Sequence, residues 1–311
     1  MEESAVAAPG DRPLVCLGEA LVDLICPDPV TGLTEARRFD AHFGGALANV
    51  AVASARAGAA TELAGGCGND EWGRFLRDRL REEGVGLRHY SVVDGLETPF
   101  AFATLDEARE PTFRIHGDGI DDAIATLTGD IESVVVGAGA IAFGSNTLPG
   151  PSAREVTLAV RDAAREAGVP LLFDPNLRRG RWEDLEAARR LCLELAADAT
   201  LLKCNLGEAR WLSGLDGADG ATVAETLVEL GPRLVVVTGG GDPIAARGCA
   251  TVDVTPPEVE MLSPLGAGDA FMGTLAAGLL GGGWEPTNVE AALGRAGEAG
   301  AEACTRLGAF D

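Results

Sequence analysis

A chain of 311 residues, 46% hydrophobic and 5% aromatic, is long enough to bury the core of one large α/β domain. Its net charge of −23 argues against nucleic acid and anionic membrane as partners, so a polyanionic ligand needs locally gathered amides, arginine or metal. The seven cysteines, at 16, 26, 67, 192, 204, 249 and 304, are odd in number and form no CxxC pair, which reads as reduced thiols of a cytoplasmic protein, not a disulfide or zinc framework.

Residues 1–10 read as a flexible acidic tail, with no apolar run behind them that would make a secretory leader. Residues 14–17 predict a first strand, followed by the polar GEALVD. The Ala-rich 46–57 and the charged 71–83 predict helices. Residues 28–42 and 90–118 lack helical periodicity and carry Thr, Phe, Val and turn residues. Segments 98–105 and 111–116 are spaced to pair around a turn at 106–110, so both stretches read as a small projecting β-sheet. From Ser133 strands and helices alternate: VVV and AIAF as strands, helix 152–167, LLFD at 171–174, helix 184–197, LLK at 201–203, helices near 207–213 and 221–230, then LVVVT at 234–238. Short buried strands separated by helices of this length predict an α/β fold with a mainly parallel sheet covered on both faces. The stretch 133–143 is apolar but too short to span a bilayer. The organisation expected is an α/β domain over 11–27, 43–89 and 119–311, with the β-sheet segments 28–42 and 90–118 projecting from it.

Three strands end in polar clusters, DPNLR at 174–178, CNLGE at 204–208 and TGGG at 238–241, and open α/β sheets bind ligands outside the carboxyl ends of their strands. The run 263–275, SPLGAGDAFMGTL, adds a glycine turn feeding a helix start, where backbone N–H groups and the helix dipole favour an anion. There Asp269 is either an acid favoured by the dipole at a closely packed helix start or a general base beside a phosphate, with Gly266, Ala267 and Gly268 forming the anion hole. Together these clusters offer what a Mg²⁺-nucleotide needs: an arginine, oxygen ligands and close backbone approach. No GxxxxGK[ST] is present. The loose GxGxxA at 137–142 is followed by another apolar run and Pro149-Gly150-Pro151 where a dinucleotide-binding helix belongs. Three histidines without HxH or HxxxH spacing do not make a metal site. Against 24 arginines the chain has a single lysine, Lys203, read as a phosphate contact or a partner of Glu208.

In this order the motifs resemble the ribokinase-like (PfkB) family of sugar and nucleoside kinases, from about Leu14 to Ala309. GEALVDLI is similar to the family's opening strand, FGGALANVA at 43–51 to its first signature, and SPLGAGDAF to its second. The resemblance implies a three-layer sandwich with a β-sheet lid and ATP-dependent phosphoryl transfer to a sugar hydroxyl, with Asp269 as catalytic base. It implies that Asp23, Gly44, Gly45, Asn49 and Arg178 bind the sugar. It places Lys203, Asn205, Glu208, Thr238 and Gly240 at the nucleotide, with Asn205 and Glu208 near Mg²⁺. The pattern is closest to fructokinases and 2-keto-3-deoxygluconate kinases; a nucleoside kinase, or a non-catalytic sugar or nucleotide sensor on the same fold, is the alternative. Sugar and ATP are the expected small-molecule partners, and lids that meet face to face predict a homodimer. Many relatives hold K⁺ partly through an acidic residue opening the loop before GAGD. Here Ser263-Pro264-Leu265 stands there, so activation by K⁺ is expected to be weak or absent.

Overall fold

The computed structural model describes residues 12–116 and 119–310. The tail read over 1–10 lies outside them.

The first strand, β1 (Leu14–Leu17), leads directly into β2 (Leu21–Ile25), which pairs antiparallel with β3 (Asp40–Gly44). The chain then runs through α1 (Ala46–Arg56), β4 (Thr61–Gly68), α2 (Glu71–Glu82) and β5 (Tyr90–Val93), and through the hairpin β6 (Phe100–Leu105) and β7 (Pro111–His116). Next come α3 (Gly119–Ala125), α4 (Ile131–Val136), β8 (Ala140–Gly144), α5 (Pro151–Ala167), β9 (Leu171–Asp174) and α6 (Leu185–Asp198). After β10 (Leu201–Asn205), α7 (Leu206–Ser213) and α8 (Gly220–Val228), three consecutive strands follow: β11 (Leu234–Gly239), β12 (Asp242–Gly248) and β13 (Val252–Val254). Two helices, α9 (Ala267–Gly282) and α10 (Pro286–Ala303), close the chain.

Among the described residues the large sheet runs β13-β12-β11-β10-β9-β8-β1-β4-β5, parallel except for β12 and β13. Alternation sorts its strands between two cores: Leu14 and Cys16 face α1, α9 and α10, while Val15 and Leu17 face α3 to α8. Strand β1 lies between β4 and β8, so successive crossovers leave it in opposite directions. That divergence opens a crevice at the carboxyl ends of the strands. The small sheet, β3-β2-β6-β7, stands over this crevice. One of its faces carries Ala101, Ala103 and Phe113 toward the site; the other carries Phe39, Phe100, Phe102 and His116 in edge-on and stacked contact. None of the described helices is long and apolar enough to cross a membrane.

The structure moves two sheet boundaries and one element from their sequence-based places. Residues 21–25 belong to the small sheet, and Tyr90–Val93 is the edge strand of the large one. Ser133 to Val136 is the end of helix α4 and not a strand, because a short apolar run carries no period that separates the two.

Candidate active site

The crevice gathers residues from elements far apart in sequence. Gly266 caps α9 with a left-handed backbone (φ 77°), which only glycine adopts freely. A Cβ there would lie 2.4 Å from Cβ of Ala309, so the turn is also sterically closed to larger residues. Ala267 donates its N–H to the Pro264 carbonyl at 3.3 Å, while the N–H groups of Gly266, Gly268 and Asp269 at the helix start have no partner among the described residues.

In the first turn of α9, Asp269 is 7% exposed. Its Oδ2 accepts a hydrogen bond from Asn49 Nδ2 (2.9 Å), and its Oδ1 accepts one from Asn176 Nδ2 (3.1 Å). Burial pushes its pKa up to about 6, against the pull of the Asn49 amide and the Arg178 guanidinium. Asp23, on β2, is raised to about 7 by burial, opposed by Arg178 and reinforced by Asp269. Gly44 makes room for that carboxylate, since a Cβ would come 2.1 Å from Asp23 Oδ2. Gly45 (φ 103°) turns the chain into α1, and a Cβ there would meet the Glu19 carbonyl at 2.5 Å. Arg178 lies over the Phe113 ring, its Cζ 4.9 Å from the ring centroid. Asp23, Asn49, Phe113, Asn146, Arg178 and Asp269 thus line one small pocket beneath the small sheet.

A second layer lies behind the glycine turn. Lys203 pairs with Asp174, Nζ to Oδ2 at 2.8 Å, with both side chains under a tenth exposed. This corrects the pairing with Glu208. Burial alone would lower the ammonium's pKa, but Asp174 and Glu208 outweigh it and raise it. A Cβ on Gly268 would sit 3.0 Å from Lys203 Nζ, so the lysine's ammonium lies directly against the glycine turn.

Asn205 and Glu208 form a capping box on α7: Asn205 Oδ1 accepts the Glu208 N–H at 2.9 Å, and Glu208 Oε2 accepts the Asn205 N–H at 3.0 Å. Glu208 Oε1 takes the Leu177 N–H at 2.7 Å, tying α7 to the end of β9. Thr238 pairs in register with Asn205, and Gly240 (φ 67°) makes the turn from β11 to β12. Among the described residues no three carboxylate, thiol or imidazole groups converge as a metal cluster. Asn205 Oδ1 and both Glu208 carboxylate oxygens each accept one backbone N–H, which fixes them at the end of β10 and the start of α7.

Ser263, at the start of the loop before α9, is fully buried and its Oγ accepts the Leu265 N–H at 3.1 Å, so the loop carries a hydroxyl and not a carboxylate at this position.

Sequence reasoning missed Glu19, Asn146 and Asn176. Glu19 Oε1 accepts from the Ala46 N–H (3.0 Å) and Asn146 Nδ2 (2.9 Å), holding the ends of β1 and β8 to the start of α1. Asn176 stood within DPNLR, and an asparagine after proline at a strand end was a signal for the left-handed conformation it adopts (φ 41°). A more open groove of about 580 Å³ runs over the outer side of α9, past Arg56, Thr274 and Arg295, and holds none of the predicted site residues.

The model of the pfkB family of carbohydrate kinases matches residues 11–311. Fructokinase-1 of Oryza sativa subsp. japonica is 33% identical over 264 residues, covering 84% of this chain and 81% of that protein. The crystal structure of a fructokinase with bound ATP from Xylella fastidiosa superposes with a TM-score of 0.81 at 27% identity, covering 96% of this chain and 94% of that one. A double-mutant fructokinase from Vibrio cholerae O395, with fructose, ADP and potassium ion bound, gives a TM-score of 0.81 at 26% identity, over 96% and 95% of the two chains.

Proposed function

Because this chain belongs to the pfkB family and is a carbohydrate kinase with the ribokinase-like fold, we propose that it transfers the γ-phosphoryl group of ATP to a hydroxyl of fructose or a closely similar neutral sugar, with Asp269 as general base. One observation carries the reading: a buried carboxylate at the head of α9, beside helix N–H groups that have no partner among the described residues, shares a small pocket with Asp23, Asn49 and Arg178. Asp269 takes the proton of the sugar hydroxyl as its oxygen attacks the γ-phosphorus. The bond to the bridging oxygen breaks, and the electron pair leaves on ADP. Gly266 and Gly268 present their N–H groups to the transferring phosphoryl, and the Lys203 charge behind Gly268 supports the same region. Asn205 and Glu208, through the lone pairs their backbone hydrogen bonds leave, would hold Mg²⁺, and the ion would supply charge neutralisation at the phosphates. Thr238 and Gly240 receive the nucleotide at the end of β11. Asp23 and Asn49 orient the sugar, and the small sheet excludes water, which would otherwise take the phosphoryl group.

Charge favours a neutral acceptor over 2-keto-3-deoxygluconate: three carboxyl side chains, Glu19, Asp23 and Asp269, line the pocket with a single guanidinium, Arg178. ADP release measured over fructose, ribose, 2-keto-3-deoxygluconate and nucleosides should show fructose or another neutral sugar with the highest kcat/KM. A preference for the sugar acid or a nucleoside would refute it. Run in sodium-free tetramethylammonium buffer at constant ionic strength, the same assay should show little stimulation by KCl. A large saturable stimulation would mean that backbone carbonyls alone build the potassium site.

We also propose a homodimer through the outer face of the small sheet. Phe113 faces the site under Arg178, which leaves Phe39, Phe100, Phe102 and His116 as the aromatic cluster on the other face. Sedimentation velocity at micromolar concentration should give a dimer; a monomer throughout would remove this element.

A further inference from the structure

We infer that Asn176 is a positioning residue for Asp269: with Asn49 it holds the carboxylate from both sides, and Arg178 fixes the orientation in which it can donate. The inference rests on the reading of Asp269 as the base. Each carboxylate oxygen receives one amide N–H, from Asn176 at 3.1 Å and Asn49 at 2.9 Å, and each keeps a lone pair for the incoming hydroxyl. A guanidinium has donors only, and Arg178 Nη1 donates to both the backbone carbonyl and the side-chain oxygen of Asn176. The amide nitrogen of Asn176 therefore has to face Asp269, so the side chain cannot flip.

Two further observations separate this role from substrate binding and from ordinary loop structure. Asn176 does not line the substrate pocket, whereas Asn49, Arg178 and Asp269 do. Its backbone is left-handed (φ 41°), a conformation shared among described non-glycine residues only by Arg109 in the lid hairpin. Such a conformation persists where the surroundings over-determine it, and here the Arg178 and Asp269 contacts do so.

The charged groups facing Asp269 are Arg178 from the segment after β9, Asp174 on β9, Lys203 on β10 and Asp23 on β2; Asn49 on α1 is neutral. Removing the Asn176 donor disfavours the carboxylate and raises the pKa of Asp269 from about 6. Activity needs the deprotonated form, so the acid limb of kcat/KM has to move to higher pH.

The test is Asn176→Gly, which accepts the positive φ without strain and removes only the amide. The acid limb should move up by about one pH unit, a roughly tenfold fall in kcat/KM below it, as expected for loss of one hydrogen bond to a charged group. KM for ATP and the melting temperature should stay near wild type. Asn176→Asp, nearly isosteric, replaces the donor by a second carboxylate and should move the limb further in the same direction. A glycine variant with an unshifted limb would mean that only the backbone conformation matters and would overturn the inference. That outcome with an inactive Asp269→Asn refutes the role of Asn176 alone. An Asp269→Asn enzyme with near-wild-type turnover removes the base assignment and the role of Asn176 with it.

Discussion

Asp269→Asn should lower kcat by about 10²–10⁴-fold, the usual cost of losing a general base, while ATP affinity by calorimetry stays close to wild type. The expected loss is large because the replacement fails twice. A carboxamide at this pH takes no proton from a hydroxyl, and its nitrogen must face either the Asn49 or the Asn176 amide, setting donor against donor where the carboxylate accepts from both. Folding should not suffer, since the variant also removes a buried carboxylate whose pKa burial has raised to about 6. Above that pH the wild-type protein keeps a charge in the pocket at the expense of stability; below about pH 4 the folded and unfolded carboxyl are both protonated and the difference disappears. The variant should therefore melt at or above the wild-type temperature at pH 8, and this margin should shrink as the pH falls toward 4. A variant that turns over normally would exclude Asp269 as the base; one that fails to fold would mean that the carboxylate is chiefly structural.

Lys203→Met should be the most destabilising single change at the site. The ammonium is the partner of Asp174 at 2.8 Å, and both are buried. Removing one member of a buried pair leaves the other charge uncompensated, which typically costs about 3–5 kcal/mol. Glu208 lies in the same field; its pKa is raised by burial and by Asp174, and held back by Lys203. The double variant Lys203→Met with Asp174→Asn removes both charges and should recover most of the lost stability, because desolvating a charge pair offsets much of its attraction. Activity should not recover with it, since the positive charge against Gly268 is still missing. Urea unfolding of the two single variants and the double, read as a double-mutant cycle together with kcat, separates these effects. Lys203→Met with wild-type stability would refute the cost assigned to breaking the buried pair, and a double variant with restored kcat would show that the lysine contributes no charge to phosphoryl transfer.

Much of the architecture was legible because it is written in local periodicity. Strand β1, helices α1 and α2, the lid hairpin and the alternation from β8 to β11 follow from the spacing of apolar residues and from the turn residues at their ends. The glycine turn and Asp269 were readable because a helix start has a fixed sequence grammar. The short runs were less so: VVV at 134–136 gave no period, and β12 and β13 form only because β11 offers an edge to pair with.

What no local pattern carries is which polar side chain meets which. The amides that hold Asp269 come from 220 and 93 residues away, and the partner of Lys203 from 29 residues away. Parallel strands bring their carboxyl ends to one edge, so DPNLR, the end of β10 and the start of α9 meet only once the sheet is ordered. The sequence by itself determined the kinds of group present, carboxylates, amides, one arginine and one lysine. Tertiary structure decided that Lys203 faces Asp174 and that Asn176 faces Asp269, because burial forces each charge and each amide to take the nearest complementary partner.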